Sequence, residues 1–472
     1  MKEKKIAIIG GGFIGAVTAI HLARYSKTPL EIIIIEPSKT MARGVAFSTQ
    51  DSDHRLNGPS NIQFLYPEDI ESFTKWLEDS GTLLKDHSAK INDGRIYARR
   101  RDFGKYVEQE LFNHTKKNVS NSTISHYQDI AVSISRKKNT WYIFLNQLSS
   151  ILVDKVIITP SNFLPSIPIE LSPITKDPRF FSNPWSCDFS NKIKAGARVL
   201  IIGTGLTMSD MAITLLRDHK KIKITAISRR GLLPQRQRET LPQEPLWDAL
   251  MRPIPNFIEN HGSHNSVFRI FKIFRENVAK LKDKNIEWQV AFDDIRDAAY
   301  KLWPSLSIKE KGKYFRHLSP WYESHRFRLP PQTAQKLDDY RQQGKINYYA
   351  GSIIRVEVKN NFIQIHLRLR HNQEIVIENF DNVINCTGPE RDPRKINNPI
   401  FAQLIDDGYA TPSPFGMGFE VNNKYQSISQ DKSPIKGLFF LGPLTRNAFG
   451  EINGIPTLIK QIYTAVKYIS QN

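Results

Sequence analysis

Cysteine is scarce in this 472-residue sequence: Cys187 and Cys386 stand far apart, with no Cys-x-x-Cys spacing. That excludes a disulfide scaffold, a zinc ribbon and a dithiol reductase centre, and both residues read as buried, inert thiols. Long apolar runs are missing too. Nothing approaches the roughly 20 residues of a membrane helix, so no membrane span is expected. The charged start Met1-Lys2-Glu3-Lys4-Lys5 leads into apolar residues 6–9 that run directly into glycine, a first strand rather than an export signal. The chain is therefore expected in the cytoplasm. Acidic residues are outnumbered, 47 against 66 Lys and Arg, for a formal net charge of +19. Such an excess suits nucleic acid, an acidic membrane surface, or ligands carrying phosphates and carboxylates. Residues 264–345 hold 17 basic against 10 acidic residues, but the signs are interspersed. With no long basic block and no recognisable nucleic-acid module, a solvated basic surface is expected rather than nucleic-acid binding.

What is present is a glycine turn in the right setting. Gly10-Gly-Gly12-Phe13-Ile14-Gly15 follows the strand 6–9 and opens an apolar helix through Arg24. Gly10 makes the tight turn, Gly12 lets the backbone approach a pyrophosphate, and Gly15 permits close packing of helix on strand. Glu36 closes the next strand, 21 residues after Gly15, where an acid accepts hydrogen bonds from an adenosine ribose. The pattern recurs about 190 residues later. Strand 198–202 turns through Gly203-Thr-Gly205-Leu206-Thr207-Met208 into a helix to about Leu216 and a strand to Ser228. Here the third glycine is replaced. The strand ends at Ser228-Arg229-Arg230-Gly231, without an acid for the ribose but with guanidiniums able to grip a 2′-phosphate. NADPH is favoured, with NADH possible.

Strands are also expected at 141–145, 152–159, 353–358, 362–369, 374–377, 382–385 and 437–441. Helices are expected around 266–282, 291–302 and 332–343, and the alternating pattern vanishes over 235–345. The expected fold is α/β, with two Rossmann-like dinucleotide-binding domains, the second inserted in the first. Residues 1–165 and 346–472 would form the FAD-binding domain. Residues 170–345 would form the NAD(P)H-binding domain, with 235–345 a helical insertion shaping substrate access. The last helix, near Ile455–Ile469, follows Glu451-Ile-Asn-Gly454, and its positive end could stabilise a reduced flavin ring.

The chain resembles a family of NAD(P)/FAD-binding flavoproteins whose relatives include amino-acid N-hydroxylating, nitrosuccinate-forming monooxygenases. The matching stretches are Gly44-Val-Ala-Phe-Ser48, Arg55-Leu-Asn57, Phe103-Gly104, Gly203–Met208, Ser228–Pro234, Trp321 with His325-Arg326, Asn385-Cys-Thr-Gly388-Pro389, and Gly442–Arg446 with Glu451. The resemblance implies FAD on the first glycine motif and NAD(P)H on the second, with Gly388, Gly442, Glu451 and Ile455 near the flavin. Departures are Tyr97-Ala98 before Arg99 in place of a proline, Gln235-Arg236-Gln237 where a histidine is usual, Pro443 in place of an acid, and Gly450 in place of an aromatic.

The expected function is an NADPH-using flavin monooxygenase that passes oxygen from O2, through a flavin hydroperoxide, to a small anionic or amine-bearing substrate. Asn57 is the candidate polar group beside the flavin. Arg55, His325 and Arg326 are the catalytic candidates, with His317 and Arg328 as further anion-binding candidates. No metal is expected. The rivals are an NAD(P)H oxidase or dehydrogenase that inserts no oxygen, and a flavin-bound binding or sensor protein. Oligomeric state stays open.

Overall fold

The computed structural model describes residues 3–160, 163–186, 190–219, 221–241 and 244–471. Cys187, read above as a buried thiol, and the first two residues of the charged start lie outside them. The chain opens with β1 (Lys4–Ile9), β2 (Leu30–Ile35) and β3 (Thr123–Tyr127), then forms β4 (Ala131–Lys137), β5 (Thr140–Leu145), β6 (Ile151–Val153) and β7 (Lys155–Ile158). After a crossing come β8 (Phe180–Phe181), β9 (Arg198–Ile202), β10 (Lys223–Ser228), β11 (Ile346–Val358), β12 (Ile363–Leu369), β13 (Ile375–Phe380) and β14 (Asn382–Asn385). β15 (Gln426–Ile428) and β16 (Pro434–Phe440) close the set.

The first sheet runs β15-β16-β7-β1-β2-β3, parallel except at β15. Its central strands are nearly all β-branched because both faces are covered. Ile6, Ile8, Ile32 and Ile34 pack on one face under the helices Phe13–Tyr25, Arg100–Lys116 and Ile455–Gln471. Ala7, Ile33 and Ile35 pack on the other, against Trp141 and Ile143 of the small sheet β4-β5-β6 and Phe401 of the helix Pro399–Asp406.

The second sheet runs β13-β12-β11-β10-β9-β14-β8. Its core joins Val199, Ile201 and Ile224 to the helices Leu206–Asp218 and Pro331–Gln342. This pairing corrects the expected return to the first domain at 346. β11 pairs in parallel with β10 through Ile346–Ala350, bends at a bulge near Ile353, and continues antiparallel to β12. The chain thus leaves the second sheet only after Asn385. The strand expected at 152–159 is likewise two strands in two sheets. The break is at Asp154, whose N–H donates to the Lys5 carbonyl and whose carboxylate accepts from the Lys5 N–H.

Between β10 and the helix Pro331–Gln342 lies the insertion. Its long helices, Val267–Asp283 and Gln289–Ser305, enclose their own core of Phe257, Val267, Ile270, Ala298, Leu302, Trp303 and Leu306. Trp303 Nε1 donates to the Asn447 carbonyl at 2.8 Å, tying the insertion to the segment after β16. No helix among the described residues is long and apolar enough to cross a membrane.

Candidate active site

The first glycine turn and the first residues of the helix after the second, Leu206 and Thr207, line one cavity of about 960 Å³. Gly10 has φ +105, and a Cβ there would lie 2.5 Å from the Thr159 carbonyl oxygen. At Gly15 a Cβ would lie 1.9 Å from the Gly10 carbonyl oxygen. These two glycines are demanded by packing, while Gly12 is the N-cap of the helix Phe13–Tyr25 and makes no side-chain cap, leaving first-turn N–H groups for an anion. Glu36 lines the cavity; its Oε2 accepts from the Gly11 N–H at 2.8 Å and its Oε1 from Ser38 N–H at 3.0 Å. The carboxylate therefore both braces the glycine loop and faces the ligand space. Phe13 and Ile14 are packing residues: Phe13 lies 5.4 Å from the Phe47 ring and 5.8 Å from Phe103, and Ile14 fills the space beside Gly442.

The second turn repeats this geometry. Gly203 has φ +106, and a Cβ would lie 2.3 Å from the Cys386 carbonyl oxygen, whereas nothing lies within 4 Å of one at Gly205 or Gly388. Gly205 caps the helix Leu206–Asp218 without a side chain, and Leu206, Thr207 and Gly388 line the cavity. Bare backbone at two uncapped helix ends fits two pyrophosphates. Cys386 is buried there, and burial pushes its thiol up, which keeps it unreactive. Arg229 and Arg230 lie just after β10, outside the cavity wall; Arg229 is exposed and Arg230 donates to the Arg316 carbonyl at 3.2 Å.

Asn57 lines the cavity, and its carbonyl accepts from Gln237 Nε2 at 2.7 Å, linking the first domain to the insertion. Arg55 is placed differently from the expectation of a catalytic role. It is buried and bidentate on Asp86 at 3.0 and 2.9 Å, and also donates to the Tyr97 carbonyl and to Ser88, so it pins a loop behind the cavity. Arg326 and Arg328 reach the cavity, but each faces an acid: Arg326 Nη2 lies 2.6 Å from Glu451 Oε1, and Arg328 Nη1 lies 3.3 Å from Asp293. Burial would push the Asp293 carboxyl up, yet Arg296, Arg328, Arg326 and Arg238 around it hold it below the usual carboxylate range.

Glu451 is buried and accepts from the Tyr322 hydroxyl, whose own pKa burial and that carboxylate raise well above the usual range. His325 Nδ1 donates to the Trp321 carbonyl, 2.8 Å away, and its ring stacks on Phe292 at 5.3 Å. Both Glu451 and His325, with His317, line a second cavity inside the insertion. Gly450, where the resemblance implied an aromatic, has φ +78, and a Cβ would lie 2.8 Å from the Trp303 ring, which occupies that space. Gly442 has φ +94, and its N–H donates to Gln461 Oε1 at 2.7 Å, while Ile455 begins the final helix at the cavity wall.

The sequence reading missed one pair at the site. Arg100 Nη1 donates to Asp210 Oδ2 at 2.7 Å across the two domains, and both residues line the cavity. A separation of 110 residues left no local signal.

Residues 7–163 match the FAD-NAD(P)-binding family model. No curated protein matches the chain. Among solved structures, the chain is similar to the ornithine N-hydroxylase of Kutzneria sp. 744, with a TM-score of 0.67 and 13% identity, covering 100% of this chain and 99% of that one. It is similar to L-lysine 6-monooxygenase from Pseudomonas syringae, with a TM-score of 0.65, 15% identity and coverage of 100% and 98%. It is also similar, with a TM-score of 0.55, 12% identity and coverage of 99% and 98%, to the bacillithiol disulfide reductase of Staphylococcus aureus. The shared fold is a two-Rossmann α/β fold.

Proposed function

We propose that the protein is an FAD-dependent, NADPH-using monooxygenase that hydroxylates the nitrogen of an amine-bearing, anionic small molecule. The observation that carries this is one cavity lined by both the first glycine turn and the helix start after the second, adjoining a second cavity with which it shares Phe327 and Asn453. The similar Kutzneria structure is described with reduced FAD, NADP+ and L-ornithine together, the three occupants such an arrangement would serve.

FAD would lie on Gly10, Gly12 and Glu36, with Asn57, Gly388, Gly442 and Ile455 around its ring end. NADPH would lie on Gly205, Leu206 and Thr207, with Arg229 and Arg230 reaching its 2′-phosphate. Bound flavin supplies hydride acceptance and O2 activation, chemistry that belongs to the cofactor. The overall reaction balances as amine, O2, NADPH and a proton giving hydroxylamine, water and NADP+. The chain's part is to orient the amine and exclude water. Asn57 offers an amide that donates and accepts without titrating. Glu451, which accepts from the Tyr322 hydroxyl and faces Arg326, lines the second cavity near the shared Asn453 and can accept a hydrogen bond from an arriving amine.

Anaerobic mixing of the yellow protein with NADPH should bleach the flavin band at about 450 nm. Aerobic turnover should then consume NADPH, O2 and amine in equal amounts. Bleaching followed by peroxide release with every amine offered would instead leave an NADPH oxidase, and a protein purified without flavin would end the proposal.

A further inference from the structure

The second cavity, about 740 Å³, lies within the helical insertion. Its inner wall is apolar: Val267, Ile270, Leu302, Trp303 and Leu306 line it and are at most 9% exposed. One end meets the dinucleotide cavity at Phe327 and Asn453, beside the buried carboxylate of Glu451. The solvent-open rim includes basic residues: Arg275 and Lys282, exposed on the helix Val267–Asp283, line it, as does Trp321, 49% exposed.

The cavity is open to solvent on one side, a deep apolar cleft rather than a sealed void. Pockets for small molecules span roughly 300–1,000 Å³ and are mostly apolar with a few placed polar groups, which is the pattern here. A free amino acid would occupy a fraction of this volume and leave the apolar wall between the charged lining groups uncovered.

We propose that this cavity takes an elongated substrate with an apolar body, an anionic group held at the Arg275–Lys282 rim, and an amine at the inner end beside Glu451. The oxidation of that amine rests on the monooxygenase reading, whereas its binding does not. Each buried methylene should tighten binding by about fourfold at most.

The test is calorimetric titration of the FAD-loaded full chain with 6-aminohexanoate, 8-aminooctanoate, 11-aminoundecanoate and L-lysine. Affinity should rise along the ω-amino acid series by at least about thirtyfold, with L-lysine weakest. Ala299→Phe, which fills the cavity wall, should weaken 11-aminoundecanoate by at least about tenfold with flavin content unchanged. Ala279→Trp, on the exposed edge of the same wall, serves if the first variant fails to fold. The double variant Arg275→Glu with Lys282→Glu should weaken 11-aminoundecanoate but not undecylamine. Equal affinity along the series, tightest binding of L-lysine, or a folded filling variant that binds as the parent does would each overturn the proposal. Chain-length-dependent binding without N-hydroxylated product would uphold the cavity and remove the monooxygenase. N-hydroxylation of L-lysine without length dependence would do the reverse.

Discussion

A methyl group at position 15 would be driven into the Gly10 carbonyl, whereas one at position 205 would meet open space. The two glycine turns therefore separate packing from ligand approach. Gly15→Ala should push the first helix off β1, cost about 1–3 kcal/mol in urea unfolding, and yield protein with little flavin absorbance. Gly205→Ala should stay within about 0.5 kcal/mol of the parent and keep its flavin, while the KM for NADPH rises. Equal flavin loss in both variants would contradict this assignment. Arg55 belongs at the same scale. Its side chain is 5% exposed against Asp86 at 3%, so Arg55→Ala leaves a buried carboxylate with Arg99 as its one remaining cation and should cost about 2–4 kcal/mol. Burial would push the Asp86 carboxyl up, but Arg55 and Arg99 hold it below its ordinary 3.8. The stability this pair contributes is thus present above that value and lost as pH falls through the lowered one. Acid unfolding of Arg55→Ala should accordingly lack the parent's additional loss below about pH 4.

At the scale of the element, the helix Gln289–Ser305 carries a pH signature. Asp294 is raised to about 6 from 3.8, first by burial and then by the neighbouring Asp297 and Asp293. A carboxyl raised on folding favours the folded state most below its unfolded pKa, and that contribution is lost as pH rises through the folded one. Stability should therefore decline between pH 4 and 6 in the parent. Asp294→Asn, isosteric and uncharged, should flatten this decline and be more stable by about 1–3 kcal/mol above pH 6, as read from thermal or urea midpoints. Parallel pH curves for the two proteins would assign the decline elsewhere.

Elements were legible in the sequence to the extent that their own residues carried the constraint. The run Ile32–Ile35 announces a strand buried on both faces, and Gly10, Gly12 and Gly15 announce the turn before a helix, because these depend on neighbours in the chain. The two long helices of the insertion were legible by periodicity as well, whereas its short ones, Leu246–Met251, Asn256–His261, Ile308–Lys313 and Ser319–Arg326, were not. Partnership was not: 152–159 reads as one apolar run although it serves two sheets, and nothing in 346–358 records that β10 rather than β1 is its neighbour. The same limit hid Arg100–Asp210 and made Arg55 look available for a ligand, since the acids that engage them are distant in sequence or ordinary in composition.

On the scale of the whole molecule, the helix Leu206–Asp218 is where the two domains grip each other. Asp210 takes Arg100 from the first domain in a buried pair, and Arg217 takes Asp51 and Asp53 in a more open one, with its side chain 38% exposed. The uncapped N-terminus of that same helix is the proposed NADPH pyrophosphate site, so these pairs would set the distance between hydride donor and flavin. A displacement of 1 Å can cost about a hundredfold in rate. Asp210→Asn should therefore slow anaerobic flavin reduction by NADPH by about tenfold or more, while flavin content and the NADPH-independent spectrum stay as in the parent. Arg217 is more than a third exposed and its pairs with Asp51 and Asp53 are partly screened, so Arg217→Ala should slow reduction by about threefold at most. That smaller difference should vanish in high salt, because ions screen exposed charges and leave the buried pair largely untouched. Equal slowing in both variants, or salt sensitivity in Asp210→Asn, would mean that the domains are aligned by something other than this buried pair.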